Sequence, residues 1–165
     1  MKIEVKNLLN QPEGSVEDYP LKIADLPIDE SKTQVTGKAI LTNLDGFILA
    51  QITGQATLPE PCSRCLKEVV LIIPLNFSRE FKTEIPGRAR NDERVDQDDD
   101  EAYLIVDGEI DLNPPLTEEI IANIPIKVLC QENCQGLCPK CGANLNDNPC
   151  KCDRVEFEIS NKINL

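Results

Sequence analysis

The sequence of 165 residues contains no histidine and no tryptophan, and it has only two tyrosines and one methionine. Without imidazole the chain cannot build a histidine general base, a Ser-His or Cys-His catalytic pair, a histidine-ligated haem or a mixed Cys/His zinc site. Long apolar runs are also missing, since the longest, residues 69–73, is too short to span a bilayer. No apolar stretch follows the basic start as in a secretory signal, so we expect a cytoplasmic protein.

Negative charge predominates, and it is unevenly distributed. The net charge of −12 makes the surface as a whole repel nucleic acid and anionic lipid, which argues against coating RNA or DNA through bulk charge. Residues 91–119 alone carry −11, and the acidic run at 91–101 is too polar to bury a core, so we expect a mobile linker there. Residues 62–90 carry +3. Candidates for phosphate contacts in this basic segment are Arg64, Lys67, Arg79, Lys82, Arg88 and Arg90.

Alternating apolar and polar residues predict strands. The alternation covers residues 48–58 and 69–77, and a turn-rich connection at 59–65 lies between them. A third strand is predicted over 35–44, where it ends at an Asp-Gly turn that needs positive φ. Three or more antiparallel strands around one core are therefore expected in residues 1–85.

Further elements are predicted after the acidic run. Asp107-Gly108 between two short apolar segments indicates a β-hairpin. Asn113 and the two prolines after it predict a helix start with Asn113 as its cap, and Pro125 predicts the helix end. We expect this helix to cover the open face of the sheet, and alternation at 155–159 predicts a last strand. The predicted apolar face of the helix consists of Leu116, Ile120, Ile121 and Ile124.

These elements predict an α+β fold, mainly antiparallel β, with a small sheet or partial barrel, one helix and a C-terminal cysteine-rich zinc-knuckle module. The β region is expected at 1–85 and an acidic flexible linker at 86–102. The hairpin and helix that pack on the β region are expected at 103–125, and the zinc-binding module with the last strand at 126–165. The chain has no internal repeat, unless its two Cys-x-x-Cys elements form one.

Cysteine is abundant, and six of the eight cysteines lie within 23 residues. Clustered cysteines in a reducing compartment are more often metal ligands or redox centres than disulfides. The segment CPKCG at 138–142 has the composition of a zinc knuckle, because Pro139 fixes φ and Gly142 lets the backbone turn back so that amides face the thiolates. Disulfides, a redox Cys-x-x-Cys and an iron–sulfur cluster remain alternatives. We predict a structural Zn²⁺ held by Cys138, Cys141, Cys150 and Cys152.

The other four cysteines allow two interpretations. Cys62 and Cys65 are either small buried residues in a hairpin turn or half of a second metal site. That second site, which would tie the two halves of the chain together, consists of Cys62, Cys65, Cys130 and Cys134. Arg64, between two of these thiols, is either a solvated turn residue or a positive contact.

The order of these motifs resembles a known family. The sequence has CSRC after a strand, an acidic gap, then DGEIDL, a helix ending in IPIKVLC, and CQGLCPKCGANLN followed by CKC. Over roughly residues 15–155 it is similar to the YceD family, the large ribosomal RNA subunit accumulation proteins of bacteria and plastids. The resemblance implies a role in synthesis, processing or stability of 23S rRNA. Some members keep the pair that matches Cys62 and Cys65 but lack the later cysteines, which implies that zinc is not essential to the family role.

These observations lead us to expect a non-enzymatic factor in biogenesis of the large ribosomal subunit. Its expected partners are the large-subunit rRNA precursor, a basic ribosomal protein, or both, and we expect no membrane and no small-molecule substrate. The acidic run suits a basic protein by mimicking RNA phosphates, or it is a solvated linker without a partner. The alternative function is a thiol-disulfide oxidoreductase that uses the Cys-x-x-Cys pairs. A hydrolytic zinc enzyme would need an open coordination position, which four thiolates do not leave.

Overall fold

The computed structural model describes residues 1–29, 31–83, 103–147 and 150–152. The chain forms two compact units, one of Met1–Glu60 with Val70–Ile126 and the other of Pro61–Val69 with Lys127–Leu165. Residues 61–69, which the sequence assigns to the β region, therefore cluster with the cysteine-rich segment. The acidic run at 91–101 and the strand predicted at 155–159 lie outside the described residues. In the described ranges no helix has the length and apolar character needed to cross a membrane.

The first unit is built on a sheet of five strands in the order β2-β3-β4-β5-β6. The pairs β2–β3 and β3–β4 are antiparallel, while β5 and β6 pair in parallel. The predicted class, mainly antiparallel β with few helices, is confirmed. These strands are β2 (Val16–Ile28), β3 (Ser31–Leu44), β4 (Phe47–Pro61), β5 (Glu68–Thr83) and β6 (Tyr103–Ile105).

Four further elements precede the sheet or follow it. A small second sheet pairs β1 (Lys2–Glu4) antiparallel with β7 (Glu109–Asp111). The helix α1 (Lys6–Leu9) is a single turn, and α2 (Asn113–Asn123) is the longer helix predicted from sequence. The sequence did not predict β1, α1 or β2. Alternation in β2 is interrupted between Ile23 and Leu26, where its pairing with β3 shifts, and Pro20 and Pro27 further weaken the strand pattern of the sequence.

Burial along β4 and β5 follows the predicted alternation. Ile48, Ala50 and Ile52 are buried in β4, as are Ile73 and Leu75 in β5. The predicted turn joins β3 to β4, where Leu44 pairs with Phe47 and Gly46 has φ +82°. One boundary is wrong: residues 59–61 continue β4 instead of forming a turn, because a strand at this position tolerates prolines that donate no hydrogen bond.

The predicted hairpin around Asp107-Gly108 is confirmed only at its turn. Both residues have positive φ, and Val106 and Glu109 form an antiparallel bridge across them. The two strands then separate, since β6 joins the large sheet and β7 pairs with β1. A two-residue turn signal fixes the turn but not the later partners of its strands.

The helix α2 differs from prediction at its start and on its face. Asn113 is inside the helix rather than its cap, and its backbone N–H donates to the Asp111 carboxylate at 3.0 Å. Leu116 and Ile120 are buried in the core of the first unit, as expected of the covering helix. Ile121, predicted on the same face, is 49% exposed.

Two glycines face each other across the β3–β4 pair. Gly37 pairs with Gly54, and a Cβ on Gly37 would lie 2.2 Å from the carbonyl oxygen of Thr53. A Cβ on Gly54 would lie equally close to the carbonyl oxygen of Thr36. The two backbones approach so closely that neither position has room for a side chain.

Candidate metal centre

The eight cysteines form two groups of four, both in the second unit. Within each group the four sulfurs lie within 4.8 Å of one another. The C-terminal cluster consists of Cys138, Cys141, Cys150 and Cys152. The split cluster consists of Cys62, Cys65, Cys130 and Cys134. The structure thus brings together the two sets that the sequence suggests, and none of these eight cysteines forms a disulfide.

A tight backbone turn presents the first two sulfurs of the C-terminal cluster. The N–H of Cys138 donates to the carbonyl of Ala143 at 2.8 Å, and the N–H of Gly142 donates to the carbonyl of Cys138 at 2.8 Å. Gly142 has φ +72°, so the residue after the second cysteine is left-handed, a conformation that glycine adopts without steric cost. The turn directs the amides of Cys141 and Lys140 at the Cys138 sulfur, which lowers the pKa of Cys138 to about 6.

The Cys62 turn has the same backbone hydrogen bonds. The N–H of Cys62 donates to the carbonyl of Lys67 at 2.8 Å, and the N–H of Leu66 donates to the carbonyl of Cys62 at 2.9 Å. Leu66 takes the place of Gly142 and has φ +59°. The amides of Arg64 and Cys65 donate to the Cys62 sulfur, which lowers the pKa of Cys62 to about 6. The two Cys-x-x-Cys elements are therefore a structural repeat. The repeat is not evident in the sequence, because positions 66 and 142 hold different residue types.

The split cluster joins two segments that are distant in sequence. The sulfurs of Cys62 and Cys134 are 3.8 Å apart, and those of Cys65 and Cys130 are 3.5 Å apart. The backbone N–H of Ser63 donates to the carbonyl of Val128 at 2.8 Å.

Arg64 is exposed in the turn, as one interpretation of its sequence position expects, and it also makes a defined contact. Its Nη1 donates to the carbonyl oxygen of Cys134 at 2.7 Å, so the guanidinium joins the two segments of the split cluster. Gly136 lies against the same turn: it has φ +75°, and a Cβ there would lie 3.1 Å from the Arg64 carbonyl oxygen.

A short hairpin connects the two clusters within this unit. Leu137 and Asn144 form an antiparallel bridge next to the Cys138 turn. At the base of this hairpin, away from the turn, the N–H of Leu145 donates to the carbonyl of Gly136 at 2.9 Å. Asn146 at the base donates through Nδ2 to the Cys134 sulfur at 3.3 Å.

Asn146 also accepts a hydrogen bond at this base, from the backbone N–H of Gln135 at 2.8 Å. Sequence reasoning gave no role to Asn146, Gly136 or Leu66. The two asparagines in the CGANLN segment were the available signal, because asparagine side chains commonly hydrogen-bond nearby backbone in turns.

The two clusters differ in exposure. Cys62, Cys65 and Cys134 are 0%, 6% and 2% exposed, whereas Cys141 in the C-terminal cluster is exposed. Burial raises the pKa of Cys130 to about 12, and the neighbouring Cys141 raises the pKa of Cys152 to about 12. Without a cation, each cluster holds ionised and protonated thiols side by side, whereas a bound divalent cation would neutralise a set of converging thiolates. Such all-sulfur sets suit zinc or iron–sulfur chemistry.

The predicted phosphate-binding residues do not share one environment. Arg79 is partly buried against α2, with its Nη2 3.3 Å from a Glu119 carboxylate oxygen and its guanidinium carbon 5.1 Å from the Phe77 ring centroid. Lys82 is exposed and lies on the opposite face of β5, because it is three positions from Arg79 and successive side chains alternate between the faces. Lys67 is exposed in the second unit. Arg88 and Arg90 lie outside the described residues.

Comparisons with known proteins identify relatives over part of the chain. An uncharacterized protein of Mycobacterium bovis is 32% identical over 100 residues, which are 59% of this chain and 46% of that protein. A Zea mays protein named large ribosomal RNA subunit accumulation protein YCED homolog 1, chloroplastic, is 39% identical over 62 residues, 37% of this chain and 21% of its own. The Arabidopsis thaliana protein of the same name is 42% identical over 48 residues, 29% of this chain and 15% of its own.

The chain spans less than half the length of these curated relatives. No solved structure matches it. Residues 50–160 match the family described as large ribosomal RNA subunit accumulation protein YceD, and this match includes all eight cysteines. Since it covers more than half of the chain, the protein belongs to the YceD family.

Proposed function

We propose that this protein is a non-enzymatic factor in biogenesis of the large ribosomal subunit, acting in synthesis, processing or stability of 23S rRNA in the cytoplasm. The observation that carries the proposal is the family match over residues 50–160. The naming of the two plant relatives for accumulation of large-subunit rRNA supports the same role.

A structural zinc ion in the C-terminal cluster is part of this proposal. Its support is the turn at Cys138, with amides directed at a sulfur, and four sulfurs within 4.8 Å. Zinc held by four thiolates has no open position for substrate, so its contribution is to fix the fold of residues 138–152. The same closed coordination favours a binding factor over a hydrolase.

Contact with RNA has to be local, because the net charge of −12 opposes approach to a polyanion. Arg79 already contacts Glu119 and is a poor candidate for a phosphate ligand. Lys67 and Lys82 are exposed and lie in the basic segment, so they are the better candidates. A basic ribosomal protein is the other partner class, for which the overall negative charge is favourable.

The cellular role is tested by the ratio of mature 23S to 16S rRNA in a strain that lacks the gene. We expect a lower ratio than in the parent strain and restoration by a plasmid copy of the wild-type gene. A normal ratio, together with thiols that cycle between reduced and oxidised states during growth, would replace this proposal by the oxidoreductase alternative.

RNA contact is tested with the double variant Lys67→Glu/Lys82→Glu and labelled 23S rRNA precursor. Binding by the wild-type protein should weaken steeply as salt is raised, and the double variant should lose most of the binding. The matched control is Lys22→Glu/Lys38→Glu, which makes the same charge change on exposed positions of β2 and β3. Equal loss in both variants would mean that overall charge, rather than a local contact, governs binding.

A further inference from the structure

We propose that the split cluster is a second metal site, in which Cys62, Cys65, Cys130 and Cys134 hold one divalent zinc-type cation as thiolates. This site would fix the turn at residues 62–67 to the segment at 128–134. The proposal does not depend on the cellular role, since it concerns only how the second unit is held together.

The repeated turn is the first argument. The Cys62 and Cys138 turns share two backbone hydrogen bonds. In each turn the N–H of the first cysteine donates to the carbonyl five residues later, and the N–H four residues later donates to the carbonyl of that cysteine. Both have a left-handed residue directly after the second cysteine. In both, two amides are directed at the first sulfur. This arrangement stabilises thiolate charge and places two sulfurs on one side of the turn, as a tetrahedral cation requires.

The sulfur positions are the second argument. Zinc–sulfur bonds of about 2.3 Å at tetrahedral angles place the sulfurs about 3.8 Å apart. In the structure the sulfurs are 3.8 Å apart for Cys62–Cys134 and 3.5 Å apart for Cys65–Cys130, close to this value. A disulfide needs about 2.05 Å, so both pairs would have to move to form one.

The surroundings of the sulfurs are the third argument. Among the residues that the structure describes, the buried members of this local core are Cys62, Cys65 and Cys134 themselves, and Val69, Leu129, Cys130 and Leu137 pack against them only partly buried. Burial of so small an apolar surface contributes little to the stability of an ordered turn. The Arg64 and Asn146 side chains also donate to Cys134, at its carbonyl and its sulfur. Donors directed at a sulfur ligand are typical of the residues that surround metal–thiolate sites.

Native mass spectrometry of the full chain, purified without added metal, tests the proposal directly. We expect two zinc ions per chain. The variant Cys62→Ser/Cys65→Ser should retain one, and Cys141→Ser/Cys152→Ser should also retain one, since each leaves the other cluster intact. Ser63→Ala, an exposed residue in the same turn, is the control and should retain two.

The proposal would be overturned if the wild-type protein binds one zinc ion and the Cys62→Ser/Cys65→Ser variant still binds it. The proposal would also be overturned if the mass of the wild-type protein is lower by the four hydrogen atoms lost when two disulfides form. X-ray absorption at the zinc edge keeps the test decisive if a variant fails to fold. If both sites exist, the wild-type protein should contain two equivalents of zinc, each surrounded only by sulfur at a Zn–S distance of about 2.3 Å. One equivalent of zinc would contradict the second site.

Discussion

Leu66 and Gly142 occupy the same place in two equivalent turns, and only one of them is a glycine. Leu66 has φ +59° and is 67% exposed, so its side chain contributes strain but little packing. We predict that Leu66→Gly stabilises the second unit by about 1 kcal/mol, because a left-handed leucine is unfavourable by roughly that amount. Thermal unfolding of the zinc-loaded protein measures this gain.

The reciprocal change supplies the control. No atom lies within 4 Å of a Cβ built on Gly142, so Gly142→Ala tests backbone conformation alone. It should destabilise the same unit by about 1 kcal/mol. If both substitutions shift the melting temperature in the same direction, the two turns are not equivalent.

Asn146 offers a nearly isosteric test of its bond to sulfur. Asn146→Asp keeps an oxygen for the N–H of Gln135 but replaces the N–H donor to Cys134 with a negative oxygen. We expect zinc to dissociate about tenfold faster, as the loss of a residue that supports a metal ligand commonly weakens binding by that factor or more. Release into a chromogenic chelator gives the rate.

Asn144→Asp is the matched control for this change. Its side-chain oxygen only accepts hydrogen bonds, from Asn146, and an aspartate retains that capacity while adding the same charge nearby. Equal acceleration in both variants would show that local charge, and not the bond to sulfur, sets the rate.

The pKa shifts of the thiols predict how the metal-free protein responds to pH. Hydrogen bonds from amides lower the pKa of Cys62 and Cys138 from 9.0 to about 6, so this stabilisation is present above pH 9 and is lost as pH falls through 6. Cys130 and Cys152 are raised to about 12, so their contribution is lost as pH rises from 9 towards 12.

Chelator-treated protein should therefore be most resistant to unfolding by denaturant near pH 9. Between pH 6 and 9 the dependence should become shallower in Cys62→Ser/Cys138→Ser, which lacks the two thiols with a pKa of about 6 but keeps Cys134, whose pKa is also lowered. A midpoint that rises as pH falls over this range would contradict the predicted sign.

At the scale of elements, β3 and β4 approach each other closely at their facing glycines. A Cβ on Gly37 would meet the Thr53 carbonyl oxygen at 2.2 Å and the Gly54 Cα at 2.7 Å, both of them backbone atoms that cannot move aside. We predict that Gly37→Ala destabilises the first unit by about 3 kcal/mol or more. Gly14→Asn is the comparison, because Gly14 has open space and a positive φ that asparagine tolerates. Similar losses in the two variants would rule out steric contact as the cause.

The sequence predicted the elements in which a local pattern and the final environment agree. Regular alternation placed β4 and β5, and Gly46 placed the turn before β4. It missed β2, an edge strand whose prolines and shifted register obscure the alternating pattern. It also left the partners of β6 and β7 open, since these depend on distant strands rather than on the Asp107-Gly108 turn.

The candidate metal centre was predictable to a similar degree. Spacing alone grouped the C-terminal cysteines, and subtraction suggested the split cluster. The supporting residues were not predictable, because Arg64 and Asn146 act through contacts with Cys134 that fold geometry creates. Leu66 concealed the repeated turn, since sequence patterns assign a left-handed position to glycine.

At the scale of the whole molecule, the two units rely on different cores. The first unit has a large apolar cluster drawn from its strands and α2, whereas in the described part of the second unit the buried cluster consists of Cys62, Cys65 and Cys134. We predict that a strong zinc chelator reduces amide exchange protection at residues 62–67 and 128–147, although the metal-free turns still form, and leaves the protection of β3 and β4 unchanged. Hydrogen exchange with mass spectrometry measures both regions in one sample.

Readdition of Zn²⁺ should restore protection, and Mg²⁺ should not, because magnesium prefers oxygen ligands. Loss of protection in β3 and β4 at the same chelator concentration would mean that the two units unfold as one.

The split cluster also changes how the chain is connected. Its sulfur pairs join residues 72 and 65 positions apart, so a cation bound there makes a ring of the intervening polypeptide. Closing a ring of that length with a permanent cross-link lowers the entropy of the unfolded chain by an amount worth about 4 kcal/mol at room temperature. A metal ion provides such a link reversibly. In a chain cut once between Cys65 and Cys130, the cation would therefore keep the two fragments joined even where the first unit is unfolded, until a chelator removed the metal.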